Sequence, residues 1–426
     1  MARYHIETYG CTSNRGESRE IERRLRDAGH HRVPLDAADV AILNTCTVVE
    51  KTERNMLRRA KELEAEVADL VVTGCMALAQ GEEFADLDAQ VLHWEDVPAA
   101  VTNGECPTTT PDAEPILDGV VGILPIARGC MSNCSYCITK HATGRIDSPS
   151  VAENVRKAEA LVHAGATELR VTGQDTGVYG WDEGERKLPE LLDRICDIDG
   201  EFRVRLGMAN PGGVHGIREE LADTFARNEK LYDFIHLPVQ SGSDDVLADM
   251  RRQHRVEKFR ECVAAFDDRL DHWTLSTDFI VGFPTETPAD HEQSMDLLAD
   301  VRPEKVNVTR FSKRPNTDAA EMKGLGGQTK KDRSKAMSEL KMDVVSEAYE
   351  ALVGTRREVL VVEEGHGDSV KCRDSAYRQI VVRNASDYGI EPGEFIEVDV
   401  TSGERVYAFG TPVVAPADSE EVAAAD

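Results

Sequence analysis

Apolar positions along the chain fall into two alternating series and a third that is purely β. In the first, Tyr4–Tyr9, Val40–Asn44 and Leu70–Thr73 read as short strands. Gly16–Ala28, Val49–Val67 and Leu78–Phe84 carry apolar residues at helical spacing. Strands separated by helices predict βαβ units, hence a parallel sheet with helices on its faces. Asn103–Gly119, rich in Pro, Thr, Asp and Gly, reads as a linker.

The second series predicts strands near Val121–Ala127, Glu168–Thr172, Arg203–Gly207, Phe234–Pro238, Thr274–Val281 and Lys305–Phe311. Helical patterns lie between them at Ala152–His163, Lys187–Ile198, Gly216–Arg227, Val256–Phe266 and Ala289–Asp300. Six such units predict a partial (β/α)6 barrel, with its chemistry on the loops that follow the strands. Gln328–Leu352 reads as one long helix. From Arg356 the runs REVLVVEE, QIVVR, FIEVDVTS and RVYAFGTPVV predict a small all-β barrel of OB type. Pro416–Asp426 is acidic, Ala-rich and expected to be disordered. The expected fold class is therefore α/β: a parallel-sheet domain (1–105), a linker (106–119), a partial barrel (120–352), an all-β barrel (353–414) and a tail (415–426).

Composition narrows this picture. Apolar residues make up 41% of the 426, enough for large cores. The longest apolar runs, Val120–Ile126 and Phe279–Phe283, fall far short of the ~20 residues that span a bilayer. MARYHIETYGC has no apolar signal segment, so a cytoplasmic protein with no membrane partner is expected. There are 50 Lys and Arg against 78 Asp and Glu, a net charge of −28. The acid is spread through every segment and Arg outnumbers Lys, which resembles the surfaces of proteins from salt-loving archaea. Acidity ordinarily argues against nucleic acid. At molar salt, however, charges are screened beyond about 3 Å, so local Arg and Lys contacts still suffice for RNA.

Ten cysteines stand at 11, 46, 75, 106, 130, 134, 137, 196, 262 and 372. In a reducing compartment they point to metal or catalysis rather than disulfides. Cys130, Cys134 and Cys137 form C-x3-C-x2-C straight after the first strand of the second series. Cys11, Cys46 and Cys75 each follow an apolar run of the first series, at the strand ends where parallel sheets bind ligands. Three buried structural thiols are the alternative there. Thiolates favour zinc or iron–sulfur chemistry. A structural zinc site wants four ligands, usually as two pairs. C-x3-C-x2-C lacks the second pair, although His141 is near, and three ligands suit a [4Fe–4S] cluster with one open iron.

That triple Cys after the first strand of a βα barrel resembles the radical S-adenosylmethionine enzymes. The resemblance implies an open iron that takes the amine and carboxylate of S-adenosylmethionine. One electron then splits the sulfonium and releases a 5′-deoxyadenosyl radical. Such chemistry serves C–H bonds too weakly acidic for side-chain bases tuned near neutral pH, and the cofactor carries the hard step.

Over roughly residues 1–414 the chain resembles the methylthiotransferase family of these enzymes. The matching strings are YGCTSNRGES, NTCTVVEKTERN and VVTGCMA in the first series. In the second they are RGCMSNCSYC, LRVTGQDTGVYG, RLGMANP, HLPVQSGSDDVLADMRR, STDFIVGFPTET and RFSKRPNT. The C-terminal β segment resembles the family's RNA-binding TRAM domain. CSYCITKHATGRIDS and RLGMANP are most similar to the archaeal and eukaryotic branch. That branch installs a 2-methylthio group on N6-threonylcarbamoyladenosine at position 37 of tRNA. Thr143 departs from the pattern, since many relatives carry Arg there. Sister branches act on isopentenyladenosine in tRNA or on a ribosomal-protein aspartate. A non-enzymatic module binding zinc and RNA is the reading from another class.

The resemblance implies that Cys130, Cys134 and Cys137 hold the radical cluster. It implies that Cys11, Cys46 and Cys75 hold a second [4Fe–4S] cluster whose open iron carries the sulfur to be inserted. S-adenosylmethionine is then both methyl donor and radical source. The implied partners are the tRNA anticodon stem-loop, an electron donor such as a ferredoxin or flavodoxin, and a sulfur donor. Gln174 and Asp175 follow the second barrel strand, Gln240 and Ser241 the fourth, and Asp278 lies in the fifth. Polar groups there suit S-adenosylmethionine, with turn chemistry as the alternative. Asn14 and Asn44 flank Cys ligands as donors to cluster sulfur or as turn residues. For RNA phosphates the candidates are Arg251, Arg252, Arg255, Lys330, Lys331, Arg333 and Lys335, then Arg356, Arg357, Lys371, Arg373, Arg378 and Arg383. Tyr377 and Tyr407 are candidates for base stacking. Cys106, Cys196, Cys262 and Cys372 are read as structural.

Overall fold

Val40–Thr45 is buried at every position, as a strand covered by helices on both faces requires. In the computed structural model, which describes residues 1–47, 50–102, 104 and 114–413, it is the third of five parallel strands. These are β1 (Arg3–Thr8), β2 (His31–Arg32), β3 (Val40–Thr45), β4 (Asp69–Thr73) and β5 (Ala89–Val91), in the order β2-β1-β3-β4-β5. Val49 of the expected second helix, most of the linker with Cys106, and the expected tail lie outside the described residues. The edge strands β2 and β5 are two and three residues long, too short to leave a periodic signal. The order 2-1-3-4-5 reverses between β1 and β3, and ligands of such sheets sit at that switch point. Cys11 and Cys46 follow these two strands.

Six parallel strands follow in chain order: β6 (Val121–Pro125), β7 (Glu168–Thr172), β8 (Arg203–Leu206), β9 (Phe234–His236), β10 (Thr274–Val281) and β11 (Lys305–Arg310). They pair as β6-β7-β8 and β9-β10-β11, and the bridges Val204–Leu231 and Met208–His236 join the two sheets. Among the described strands β6 and β11 do not pair, so the barrel is open between them. Leu169, Val171, Val204, Leu206 and Val306 share one core with the surrounding helices. By strand alternation Arg170, Arg205 and Lys305 point the other way, into the lumen. The expected helix Gly216–Arg227 is shorter, running from Arg218 to Arg227 after a tight turn at His215–Ile217.

The last domain closes as β12 (Arg356–Glu364), β13 (Ser369–Asp374), β14 (Gln379–Arg383), β16 (Ala408–Pro412) and β15 (Phe395–Gly403). Only β14 and β16 run parallel among the paired strands of this barrel. The OB-type expectation holds, with one strand more than the four apolar runs: β13 (SVKCRD) is half polar and was not legible as a run. The barrel docks at the amino ends of the central strands. Arg378 donates to both Glu304 oxygens at 2.6 and 2.8 Å, and the Asp233 N–H reaches Ser375 O at 2.8 Å. Val121 and Ile123 pack with Leu360 and Val362.

The N-terminal domain seats its first helix, Thr12–Asp27, on β6 and β7. Gly16 lies against Ile123 and Pro125, where a Cβ would stand 3.0 and 3.2 Å from their side chains. The Ser13 and Thr172 hydroxyls meet at 3.3 Å, and Arg15 and Arg19 both pair with Asp118 at 2.7 Å. Among the described residues no helix is long and apolar enough to cross a membrane.

Candidate metal centres

The loop after β6 is held in a shape only glycine allows. Gly129 has φ +80°, and a Cβ there would stand 2.1 Å from Arg145 O. Its N–H donates to Gln174 Oε1 at 2.7 Å, and the Cys130 N–H to Gly144 O at 3.2 Å. The Ser132 N–H points at Cys130 Sγ, 3.3 Å away. Arg252 Nη1 lies 3.5 Å from Cys134 Sγ, while its Nη2 donates to Asn210 Oδ1 at 3.1 Å and Pro238 O at 2.9 Å. Asn210 Nδ2 in turn donates to Ser132 Oγ at 3.2 Å.

Burial, then the neighbouring Asp175, pushes the Cys130 thiol up to about 11. Burial and then Cys134 push Cys137 up as well. Such thiols stay protonated at neutral pH unless a metal takes the proton's place. Asp175 Oδ1 accepts the N–H groups of Asn210 and Gly177 at 2.9 and 3.2 Å, while its Oδ2 is buried without a partner. Burial raises its carboxyl to about 6. Arg252 Nε is also buried and unpartnered. The raised thiols of Cys130 and Cys137, beside an unsatisfied carboxylate oxygen and guanidinium nitrogen, fit an iron–sulfur cluster with a polar, charged cofactor next to it.

The other expected cofactor residues divide. Gln174 holds the Cys130 loop. Gln240, at φ +74°, bonds through its backbone to Asp278 O at 2.8 Å and Ile280 N at 3.0 Å, leaving its amide unengaged by these contacts. Ser241 Oγ accepts the Ser243 N–H at 3.2 Å and meets Ser294 Oγ at 3.4 Å, which is turn chemistry. Asp278 faces the lumen, bonded to His236 Nε2 at 3.0 Å and Asn307 Nδ2 at 2.7 Å. Burial alone would raise its carboxyl, but these partners outweigh it and hold it below the ordinary range.

The N-terminal triad is built from three strand ends. Cys11 caps the helix Thr12–Asp27, Cys46 follows β3, and Cys75 lies in the first turn of the helix Gly74–Ala79. Gly10, at φ +122°, leaves no room for a Cβ, which would stand 3.0 Å from Cys46 Cβ. Asn14 Nδ2 donates to Asn44 Oδ1 at 2.8 Å and Thr45 O at 3.2 Å, and its Oδ1 lies 3.4 Å from both the nitrogen and the sulfur of Cys11. Asn44 Nδ2 donates to Asn14 O and Ser18 Oγ, each at 3.0 Å. The two asparagines thus lock the Cys11 and Cys46 loops together. Burial, then Glu17 and the thiols of Cys11 and Cys46, push the Cys75 thiol far above its ordinary range. Among the described residues no group of three or more His, Cys, Asp or Glu side chains is arranged for a single metal ion. A cluster instead spreads its thiolates over separate irons.

The two triads border one seam. The helix carrying Cys75 packs on the helix Thr139–Thr143, which begins two residues after Cys137. Arg314, beyond β11, crosses to pair with Glu53 and stands 3.4 Å from Thr47 Oγ1. Gln80 Nε2 donates to Thr47 and Glu53 at 2.6 Å each. Sequence reasoning missed Arg314, Glu53 and Gln80 as a unit, although the first two stand in matching family strings.

Several expected RNA contacts are engaged elsewhere. Arg252 is in the barrel site, Arg333 pairs with the buried Glu286 at 2.5 Å, and Arg378 pairs with Glu304. Tyr377 packs between Tyr232 and Phe234 with ring centres 4.9 Å away. Lys371, Arg383 and Tyr407 instead line a cleft of about 410 Å³ with His366 and Phe409. Arg383 lies 3.6 Å over the Phe409 ring. β13, β14 and their flanking loops form the face that OB-type barrels offer to nucleic acid.

A thiol triad after the first strand of an open parallel barrel defines a radical S-adenosylmethionine enzyme. The Radical SAM superfamily pattern matches residues 124–298, that of Uncharacterized protein family UPF0004 residues 3–94, and that of the TRAM domain residues 350–413. A "Probable threonylcarbamoyladenosine tRNA methylthiotransferase" of Archaeoglobus fulgidus is 37% identical over 96% of this chain and 98% of its own length. A "Threonylcarbamoyladenosine tRNA methylthiotransferase" of Homo sapiens is 29% identical over 96% of this chain and 73% of its own. The chain belongs to the threonylcarbamoyladenosine tRNA methylthiotransferase family. A radical S-adenosylmethionine methyltransferase of Kitasatospora setae, solved with cobalamin and a [4Fe–4S] cluster, shares the fold at a TM-score of 0.55, 14% identity, 75% of this chain and 77% of that one.

Proposed function

We propose that this chain methylthiolates C2 of N6-threonylcarbamoyladenosine at position 37, beside the anticodon of tRNA. The observation that carries the reading is the pair of thiol triads bordering one domain seam, in a chain that also carries a TRAM barrel. Relatives bearing that activity in their names align over nearly the whole chain. Cys130, Cys134 and Cys137 hold one [4Fe–4S] cluster, and Cys11, Cys46 and Cys75 the second. When bound, the first with S-adenosylmethionine supplies a radical that takes a hydrogen atom, and the second supplies the sulfur.

The chain's own residues do the positioning. Gln174 pins the Cys130 loop, and Arg252 sets a positive charge beside Cys134. Asp175, with its unpartnered Oδ2, and Gln240 are assigned to the cofactor's amine, ribose or adenine. Asn14 and Asn44 hold the second triad in shape. A ferredoxin- or flavodoxin-like electron donor and a sulfur donor complete the system, in the cytoplasm of a halophilic archaeon to which the even acidity is suited. Nucleoside mass spectrometry of tRNA from a deletion strain tests the assignment. The 2-methylthio form is expected to vanish while unmodified N6-threonylcarbamoyladenosine accumulates. Persistence of the 2-methylthio form at normal levels overturns it.

A further inference from the structure

In a chain with 78 acidic and 50 basic residues, a gathering in which cations outnumber acids is an anomaly. One occurs in the barrel lumen, away from both triads. Arg170, Arg205 and Lys305 project there from β7, β8 and β11, and Arg373 of the TRAM barrel joins them. Glu168 is the carboxylate among them, and it is already taken by Arg170 Nε at 2.5 Å and the Tyr232 hydroxyl at 3.0 Å.

Among the described residues the Arg205 and Lys305 side chains make no hydrogen bond or close ion pair, although the charge of Glu168 reaches Arg205, and Arg205 Nε is buried unsatisfied. Both rest on aromatic faces instead. The Arg205 guanidinium lies 5.0 Å from the Phe234 ring centre and 5.7 Å from that of Tyr377, and Lys305 Nζ 5.6 and 5.4 Å. Desolvation, then the guanidiniums of Arg373, Arg205 and Arg170, push the Lys305 ammonium down to about 8. Glu168 offsets only one of the four cations, so the arrangement stays positive. It is also reachable, because Asn307 and Thr309, lumen-side neighbours of Lys305 on β11, are not buried.

We infer that Arg205 and Lys305 receive the carboxylate on the N6 arm of the substrate adenosine. The inference rests on the function proposed above and gives that site its substrate discrimination. A threonylcarbamoyl arm ends in a carboxylate, whereas an isopentenyl arm carries no charge. Lys305 and Asn307 are two residues apart on one strand, a rise of about 7 Å. An extended urea plus one amino acid spans about 6 Å. A base at the level of Asn307 and Asp278 therefore lets its arm reach Lys305 and Arg205. The rings of Phe234 and Tyr377 cover one side of the pair.

The test is equilibrium binding of the full, anaerobically reconstituted chain to three synthetic anticodon stem-loops. They carry adenosine, N6-threonylcarbamoyladenosine or its methyl ester at position 37. The wild type is expected to prefer the free acid by about tenfold over both others. Lys305→Met and Arg205→Met are expected to erase that preference and leave affinity for the adenosine loop unchanged. Lys305→Arg, which keeps the charge, is expected to retain it and controls for folding. Equal binding of all three loops by the wild type overturns the inference. So does equal weakening of all three by the variants, which would assign the cations to a backbone phosphate. Neither result touches the tRNA nucleoside test of the function itself.

Discussion

Arg314, beyond the last barrel strand, is joined to Glu53 of the N-terminal domain with only 5% and 11% of their side chains exposed. Glu53 stands seven residues after Cys46, and the pair closes the seam on which both triads border. Removing one partner of a buried ion pair strands the other charge, at a cost of about 3–5 kcal/mol. Arg314→Met is therefore expected to lower the melting temperature strongly, and Arg314→Met with Glu53→Gln to recover much of the loss. Thermal melts of the four members of this cycle check it. Additive losses in the double variant would show that the two side chains do not act as a pair.

The two triads are expected to be separable. Cys→Ala at 11, 46 or 75 leaves the Cys130 loop and its Gln174 bond intact. Those variants should hold about four irons where the wild type holds about eight. They should still cleave S-adenosylmethionine but insert no sulfur. Iron and sulfide analysis with product mass spectrometry decides, and product at wild-type level from any of them refutes the division of labour. Colourless protein holding tight zinc would refute both clusters.

How much of this was legible depended on the length of each signal. Apolar or alternating segments of four residues or more gave the inner strands and put Cys11, Cys46, Cys75 and the Cys130 loop after strand ends. The two-residue β2 and the half-polar β13 left no apolar run. Side-chain direction was the harder part. Arg251 and Arg252 stand together in sequence, but Arg251 turns at φ +56°. Its side chain reaches the exposed Asp318, while Arg252 turns inward to Cys134. Tyr377, expected to stack on RNA, is buried because the TRAM barrel docks on the amino ends of β9 and β11, a contact between distant segments that local pattern does not encode.

That docking surface carries a pH signature. Asp233 is raised to about 6, first by burial and then by Asp374, with Arg203 and Arg378 opposing. An unfolded aspartate titrates near 3.9. Between about pH 4 and 6 the folded state thus binds more protons than the unfolded one, so this group's contribution to stability falls as pH rises through that window. Asp233→Asn is expected to remove that slope and to melt higher than the wild type above pH 6. Melts of both proteins from pH 4 to 8 check it. Identical pH profiles would mean that Asp233 is ionised without penalty.

The cleft on the TRAM barrel supplies the last expectation. Arg383 and Tyr407 are arranged around Phe409, with the two rings 5.3 Å apart at 86°, so the cleft offers both a charge and ring faces. Stacking on such a platform contributes about 1–3 kcal/mol per base, and each lost phosphate contact flattens the salt dependence of binding. Tyr407→Ala should therefore weaken anticodon stem-loop binding about tenfold at every salt concentration. Arg383→Ala should weaken it mainly at low salt. Neither should change cleavage of S-adenosylmethionine, since the cleft lies on the domain docked at the amino ends of the barrel strands, and both triads lie at carboxyl ends. Titrations at two salt concentrations, paired with a cleavage assay, separate the two contributions. Unchanged RNA affinity in both variants would move the tRNA contact off this face of the barrel.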